Sequence, residues 1–269
     1  MHPEEDLHRI RLTLHYDGAG FNGWQAQTPE YRTVQSELEA ALSRLTDRPS
    51  RTTAAGRTDS GVHATGQVVS TEVPVRWNSD KLAKALNAVL PFDMWVADAR
   101  EAPQEFHARF GAIARGYVYR IGTADVTGSP FVRRGCWPLR LPLPVDALNE
   151  AASLLVGNHS FLAFAKVGQA HRGDRCIVHR SQWQPWRNYG VEYQVIANRF
   201  LHHMVRYLVG TMVDVARGRR PLADFESLLR GTDTLTTSAP APSEGLYLSR
   251  VYYSTDELTE ESLDETVPG

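Results

Sequence analysis

The chain has 269 residues and a mass of 30.1 kDa, with 42% hydrophobic and 22% charged residues, which suits one large globular domain or two smaller ones and excludes a wholly disordered polypeptide. No apolar run approaches the roughly 18 residues of a membrane span, and the start MHPEEDLHRI lacks the features of a signal or transit peptide, so a cytoplasmic protein without a membrane partner is expected. The net charge of −2 hides an uneven distribution: residues 1–6 carry three acids, residues 254–269 carry six, neither end has a lysine or arginine, and the remaining body is therefore at +7.

In chain order, alternation predicts a strand from Arg9 to Tyr16. Val34, Leu38, Ala41, Leu42 and Leu45 repeat at helical spacing behind a Thr33 cap, which predicts a helix from Val34 to Leu45. Short strands at Thr52–Ala55 and Gln67–Val73 flank a polar, glycine-containing loop. Ser79 then caps a helix to about Val89, and Pro91 leads into a strand at Met94–Ala99. From Ala112 the pattern recurs, with a strand through Gly122, a helix Val145–Val156, strands near Ile177–Trp183 and Val191–Ala197, a helix Phe200–Ala216 and a final strand Leu246–Tyr253.

Each half reads β-α-β-β-α-β, the ferredoxin-like order. The expected fold is therefore α+β, with two such halves joined into one mixed, mostly antiparallel sheet, helices on one face and a central cleft. The expected organisation is an acidic end at 1–7, an N-terminal half at 8–104, a C-terminal half at 105–253 and an acidic, disordered tail at 254–269. A helical piece at Pro221–Arg230 and a Thr/Ser/Pro-rich loop at 232–245 read as an insertion before the last strand. Cys136 and Cys176 form no C-x-x-C pair and are expected to be buried small hydrophobes in a reducing compartment.

Of the 29 basic residues only Lys81, Lys84 and Lys166 are lysines; the guanidinium forks that remain suit phosphate binding and base stacking. A GC-rich genome gives the same enrichment, so the charge permits RNA binding without showing it. The densest polar cluster is AAGRTDSGVHATGQVV, Ala54–Val69, which places Arg57, Asp59 and His63 on a loop between strands. A carboxylate there can serve as nucleophile, general base or metal ligand, with the arginine holding it ionised or meeting a phosphate. The same string is also a common turn, with Gly61 at positive φ.

Further blocks follow in order: YDGAGFNGWQ at Tyr16–Gln25, FHARF at Phe106–Phe110, ARGYVYRI at Ala114–Ile121, NRFLHHMVRYLVGTMVDV at Asn198–Val215 and EGLYL at Glu244–Leu248. Together with the Asp59 loop they resemble the tRNA pseudouridine synthase A family over residues 8–253. The resemblance implies an isomerase that converts uridine to pseudouridine at positions 38, 39 and 40 of the tRNA anticodon stem-loop, without a cofactor or metal, as a homodimer. It implies Asp59 as the nucleophile, Tyr117 stacked beneath a flipped-out uracil and Arg206 paired with the carboxylate. It further implies Arg57 filling the gap left by the everted base and Leu246 packing on the target base. Arg109, Arg115 and Arg120 are candidates for the RNA groove.

Ser60 stands where many members carry alanine, and HRGDRCIVHRSQW at His171–Trp183 lacks the Arg-Thr pair that many members show there. Two other functions remain open on the residues alone: a non-catalytic RNA-binding protein, and a metal-dependent phosphodiesterase using Asp59 and nearby histidines. His202 and His203 argue weakly for the second, since neighbouring positions on a helix point about 100° apart. YDGAGFNGWQ lacks the spacing and following G-K-[ST] of a phosphate-binding loop.

Overall fold

The structure, a computed structural model, describes residues 6–166, 173–231 and 235–260. Its elements in chain order are β1 (Leu7–Tyr16), α1 (Val34–Thr46), β2 (Thr52–Ala54), β3 (His63–Pro74), α2 (Ser79–Val89), β4 (Met94–Ala102), β5 (Ala114–Gly122), β6 (Trp137–Pro138), α3 (Val145–Ser153), β7 (Gly157–Ser160), β8 (Arg175–Trp186), β9 (Gly190–Ala197), α4 (Met204–Ala216), α5 (Leu222–Arg230), β10 (Leu246–Tyr252) and α6 (Thr255–Glu260). The fold is α+β, with a single mostly antiparallel sheet and six α-helices among the described residues. The β-α-β-β-α-β order is present twice, the second time interrupted by β6, β7 and α5.

The chain divides into two compact units, one running to Ile113 and resuming at Leu248, the other spanning Ala114–Tyr247. In the first, β1 lies between β3 and β4, antiparallel to both, and β2 pairs with β3. Ile10, Leu12, Leu14 and Tyr16 alternate inward from β1 and are buried together with Leu38 and Leu42 of α1 and Leu82 and Leu86 of α2. Each leucine so removed from water contributes about 2 kcal/mol. Gly66 sits where β3 passes the Ser249 carbonyl; a Cβ there would lie 2.0 Å from that oxygen, so only glycine lets the two backbones approach.

In the second unit β9 lies between β5 and β8, antiparallel to both; β7 extends the sheet beyond β8, and β6 pairs parallel with β5. One core cluster joins Trp183 and Tyr193, stacked at 5.0 Å across β8 and β9, to Met212 of α4, whose sulfur accepts from Trp183 Nε1 at 3.5 Å. Cys136 and Cys176 are free and fully buried, and burial raises both thiols to about 11.

Three boundaries differ from expectation. Helix α2 is capped by Asn78, whose side chain accepts from Lys81 N, and Ser79 is its first residue. Helix α4 starts at Met204 and not Phe200, because His203 holds φ 65°, a left-handed conformation that a helix cannot include. Part of the tail expected to be disordered is helical, Thr255–Glu260; residues 261–269 lie outside the described residues, as do 232–234 of the Thr/Ser/Pro-rich loop and 1–5 of the acidic N-terminal end.

Candidate active site

The segment between β2 and β3 is fixed at almost every backbone position, and partners from YDGAGFNGW supply much of the fixing. Ala55 N–H donates to Val68 O, and Gln67 Nε2 donates to Gly56 O at 2.7 Å. Thr58 is held twice: its carbonyl accepts from Trp24 N–H at 3.0 Å, and its hydroxyl lies 2.8 Å from the buried Tyr16 hydroxyl. Burial pushes the Tyr16 phenol up to about 12, so this bond persists as a neutral pair at all physiological pH values. Past the aspartate, Gly61 N–H donates to Phe21 O, Val62 N–H to Asp59 O, and Gly61 takes φ 79°, the left-handed turn its lack of a side chain allows.

Asp59 itself projects from this clamped backbone half-buried, and Arg57 is exposed two residues before it. Gly18 and Gly23 let the clamp close. A Cβ on Gly18 would lie 2.0 Å from Val62 O, and one on Gly23 (φ 85°) 2.7 Å from Thr58 O. His63, buried at the start of β3, accepts at Nδ1 from Gly18 N–H at 3.1 Å, which places its own proton on Nε2. Asp17 Oδ1 lies 3.2 Å from the same Nδ1. In this geometry His63 is a support of the loop. The Tyr16–Trp24 block carries part of the family resemblance, and no spacing rule announces that it cradles Asp59.

In the second unit, Tyr117 stands half-buried on β5 opposite Val195, its ring edge-on to Phe200 at 4.9 Å. Tyr119, on the same face, has a different fate: it is fully buried, its hydroxyl donates to Pro242 O at 2.7 Å, and burial raises its pKa well above the ordinary value. The Arg206 charge opposes that rise and so lies close to the phenol. Arg206 is half-buried on the first turn of α4. Its Nε donates to Ala241 O at 2.7 Å while Ala241 N–H donates back to Arg206 O at 2.9 Å. This reciprocal pair fixes the guanidinium's direction and braces the segment leading to β10. Leu246 opens β10, 5% exposed.

The basic candidates separate. Arg109 stacks over Phe110 at 5.6 Å, and Arg115 donates to Asn198 O at 3.3 Å. Both are half-buried. Arg120 is not a groove residue: it is 8% exposed, paired with Glu192 at 3.4 Å and sandwiched between Trp186 and Tyr247. Strand alternation put it on the opposite face from Tyr117, but only the register with β9 shows Glu192 directly opposite. Arg120→Ala should therefore cost about 3 kcal/mol of stability, because it strands a buried carboxylate, and should leave the salt dependence of RNA binding unchanged. Chemical denaturation and binding titrations at two salt concentrations read the two effects.

His202 and His203 do not point apart as neighbours on a helix would. Neither residue is helical, and their rings lie 4.1 Å apart between centroids. Neutral imidazoles so placed are able to ligate a metal, and their sequence adjacency does not exclude it.

A family model described as tRNA pseudouridine synthase matches residues 13–111 and 151–254. The tRNA pseudouridine synthase A of Geobacillus kaustophilus is 38% identical over 257 residues, covering 95% of this chain and 98% of that protein. Those of Moorella thermoacetica and Chlorobium luteolum are 40% and 39% identical over 91% and 93% of the chain. An α+β chain that presents a carboxylate on a clamped inter-strand loop and carries this match is an isomerase of RNA-modifying type. It belongs to the tRNA pseudouridine synthase A family. Among the described residues no helix is long and apolar enough to cross a membrane.

Proposed function

We propose that the protein converts uridine to pseudouridine at positions 38, 39 and 40 of the tRNA anticodon stem-loop, with Asp59 as nucleophile on a flipped-out uridine. The observation that carries this reading is the contrast at Asp59, where a backbone locked on both sides presents a half-buried carboxylate. A nucleophile needs that combination: fixed position and an accessible oxygen.

The reaction breaks the N1–C1′ bond, turns the base and rejoins it through C5, with no change of oxidation state. Asp59 either attacks C1′ to give an acylal or removes the 2′ proton to give a glycal; both use one ionised oxygen. Arg206, whose Nε donates to Ala241 O, is assigned the role of guanidinium partner that orients the carboxylate. Tyr117 stacks on the everted uracil and exchanges a proton with it, Leu246 packs the base, and Arg57 fills the vacated place in the stack, reducing an unstacking cost of a few kcal/mol. Arg109 and Arg115 meet the RNA backbone. Three neighbouring target positions imply recognition of tRNA shape and phosphates more than of sequence. The protein acts in the cytoplasm as a homodimer, without a cofactor or metal.

The test is release of tritium from tRNA carrying C5-tritiated uridine, in the presence of EDTA. Release by the wild type and not by an Asp59 variant supports the isomerase. Chain cleavage that EDTA abolishes would instead indicate a metal-dependent phosphodiesterase, and binding without release an RNA-binding protein. Arg57→Ala should stay folded and lose turnover more than tRNA affinity; equal losses in single-turnover and binding assays would make Arg57 a phosphate anchor.

A further inference from the structure

Two large apolar side chains stand almost entirely in solvent, Phe92 and Phe131, each 97% exposed. Phe92 follows Pro91 in the turn into β4, next to Asp93, whose carboxylate is taken up bidentately by Arg32 at 2.7 and 2.8 Å. That surrounding holds no surplus positive charge and points to no partner. Phe131 is different in both support and electrostatics.

The segment carrying Phe131 follows β5 and is rigid. Thr127 is fully buried against Gly122, where a Cβ would meet its side chain at 2.4 Å, and its hydroxyl donates to Ala124 O at 2.6 Å. Ser129 O accepts from both Val132 N–H and Arg133 N–H, at 3.0 and 2.8 Å, and Gly135 O accepts from the Tyr247 hydroxyl at 2.8 Å. A phenyl ring held outward by a loop with this many internal bonds cannot fold back onto the protein to escape water. Its exposure is built in.

The loop is also cationic. Arg133 and Arg134 are exposed two and three residues after the ring, and Arg140, itself exposed at φ 52°, lays its side chain over Gly128, 3.5 Å from where a Cβ would be. Asp125 is the one acid from Ala124 to Arg140, and Glu244 lies on the turn Ser243–Gly245 that packs against Arg133–Gly135, so three guanidinium-bearing residues stand against two carboxylates and the loop keeps a net positive charge. A flat apolar ring amid surplus arginines fits a partner with flat faces and a negatively charged backbone. A second copy of this chain, which would bring the same positive charge to the contact, fits less well.

We infer that Phe131 is a stacking platform for an unpaired base of the RNA substrate, with Arg133 and its neighbours holding the adjacent phosphates. The inference rests on the proposed tRNA substrate and adds a contact surface that includes none of the residues assigned above. It requires only a base with an open face, so it is blind to base identity.

The test is direct binding of unmodified tRNA to the wild type and four variants at two or more salt concentrations, with Tm and sedimentation measured on each. Phe131→Ala should weaken binding about tenfold at every salt concentration, Phe131→Leu nearly as much because it keeps apolarity without an aromatic face, and Phe131→Trp should bind at least as tightly as the wild type. Arg133→Gln should instead lower the slope of log Kd against log salt by about one. Unchanged affinity in Phe131→Ala overturns the inference, as does a Phe131→Ala protein that loses self-association while retaining affinity, which would make the occupant a second copy. Tritium release by the wild type with no effect of Phe131 would sink this inference alone. Weakened binding by Phe131→Ala in a wild type that releases no tritium would sink the isomerase reading and leave the platform standing.

Discussion

Asp59→Asn should lower tritium release on the order of 10³-fold or more while the protein stays folded and able to bind tRNA. The amide has nearly the shape of the carboxylate but no lone-pair charge to attack C1′ or take the 2′ proton, and loss of a covalent nucleophile is among the costliest single changes in an active site. Folding is protected because the tethers of this segment are main-chain ones: Val62 N–H to Asp59 O, Trp24 N–H to Thr58 O, Gly61 N–H to Phe21 O. Affinity for tRNA should be unchanged or slightly higher, since one charge that repels phosphates has gone. A variant that keeps more than about a tenth of wild-type turnover would remove Asp59 from the nucleophile's role.

The second large effect lies at a glycine that packs against the Asp59 loop. Gly18→Ala puts a methyl 2.0 Å from Val62 O and 2.4 Å from Val62 C, both backbone atoms that cannot rotate aside. Something in the clamp must move, at a cost of about 2–3 kcal/mol, or a fall in Tm of roughly 5–10 °C. Because the atoms displaced lie three residues from Asp59, turnover should fall at least about tenfold as well, near the size expected when a reacting group is misplaced by about 1 Å. Gly20→Ala is the control. Its new methyl would meet the ends of the paired Arg32 and Asp93 side chains at 3.1 and 3.3 Å, which need shift only a few tenths of an ångström, so it should cost less in thermal melts than Gly18→Ala and leave tritium release nearly unchanged. Equal effects at the two glycines would mean that the block acts through general stability and not through the loop.

The elements were legible where hydrophobic periodicity is strong. Val34, Leu38, Ala41 and Leu42 give α1 to within a residue, and the alternation Ile10, Leu12, Leu14, Tyr16 gives β1 because the opposite face of that strand is polar. Periodicity failed where a single backbone conformation decides: nothing in LHHMVR announces that His203 is left-handed and that α4 waits for Met204. It failed again for His63–Gly66, read as loop from its polarity although His63 and Ala64 are buried on β3. At the site, residue types were legible from motif resemblance and their supports were not. That Tyr16, Phe21 and Trp24 hold the Asp59 loop is a contact between positions some 35 to 45 apart, and that Arg120 is structural depends on the β5–β9 register. Neither kind of fact has a local signature.

The two cysteines carry a practical consequence. With both thiols shut in and raised to about 11, neither is held as a thiolate at neutral pH to any useful extent, and neither sulfur meets solvent. Maleimides and disulfide probes should therefore pass over the native protein. A cysteine placed at position 131 would be the sole reactive handle, and a dye attached there could report the arrival of RNA without any background label.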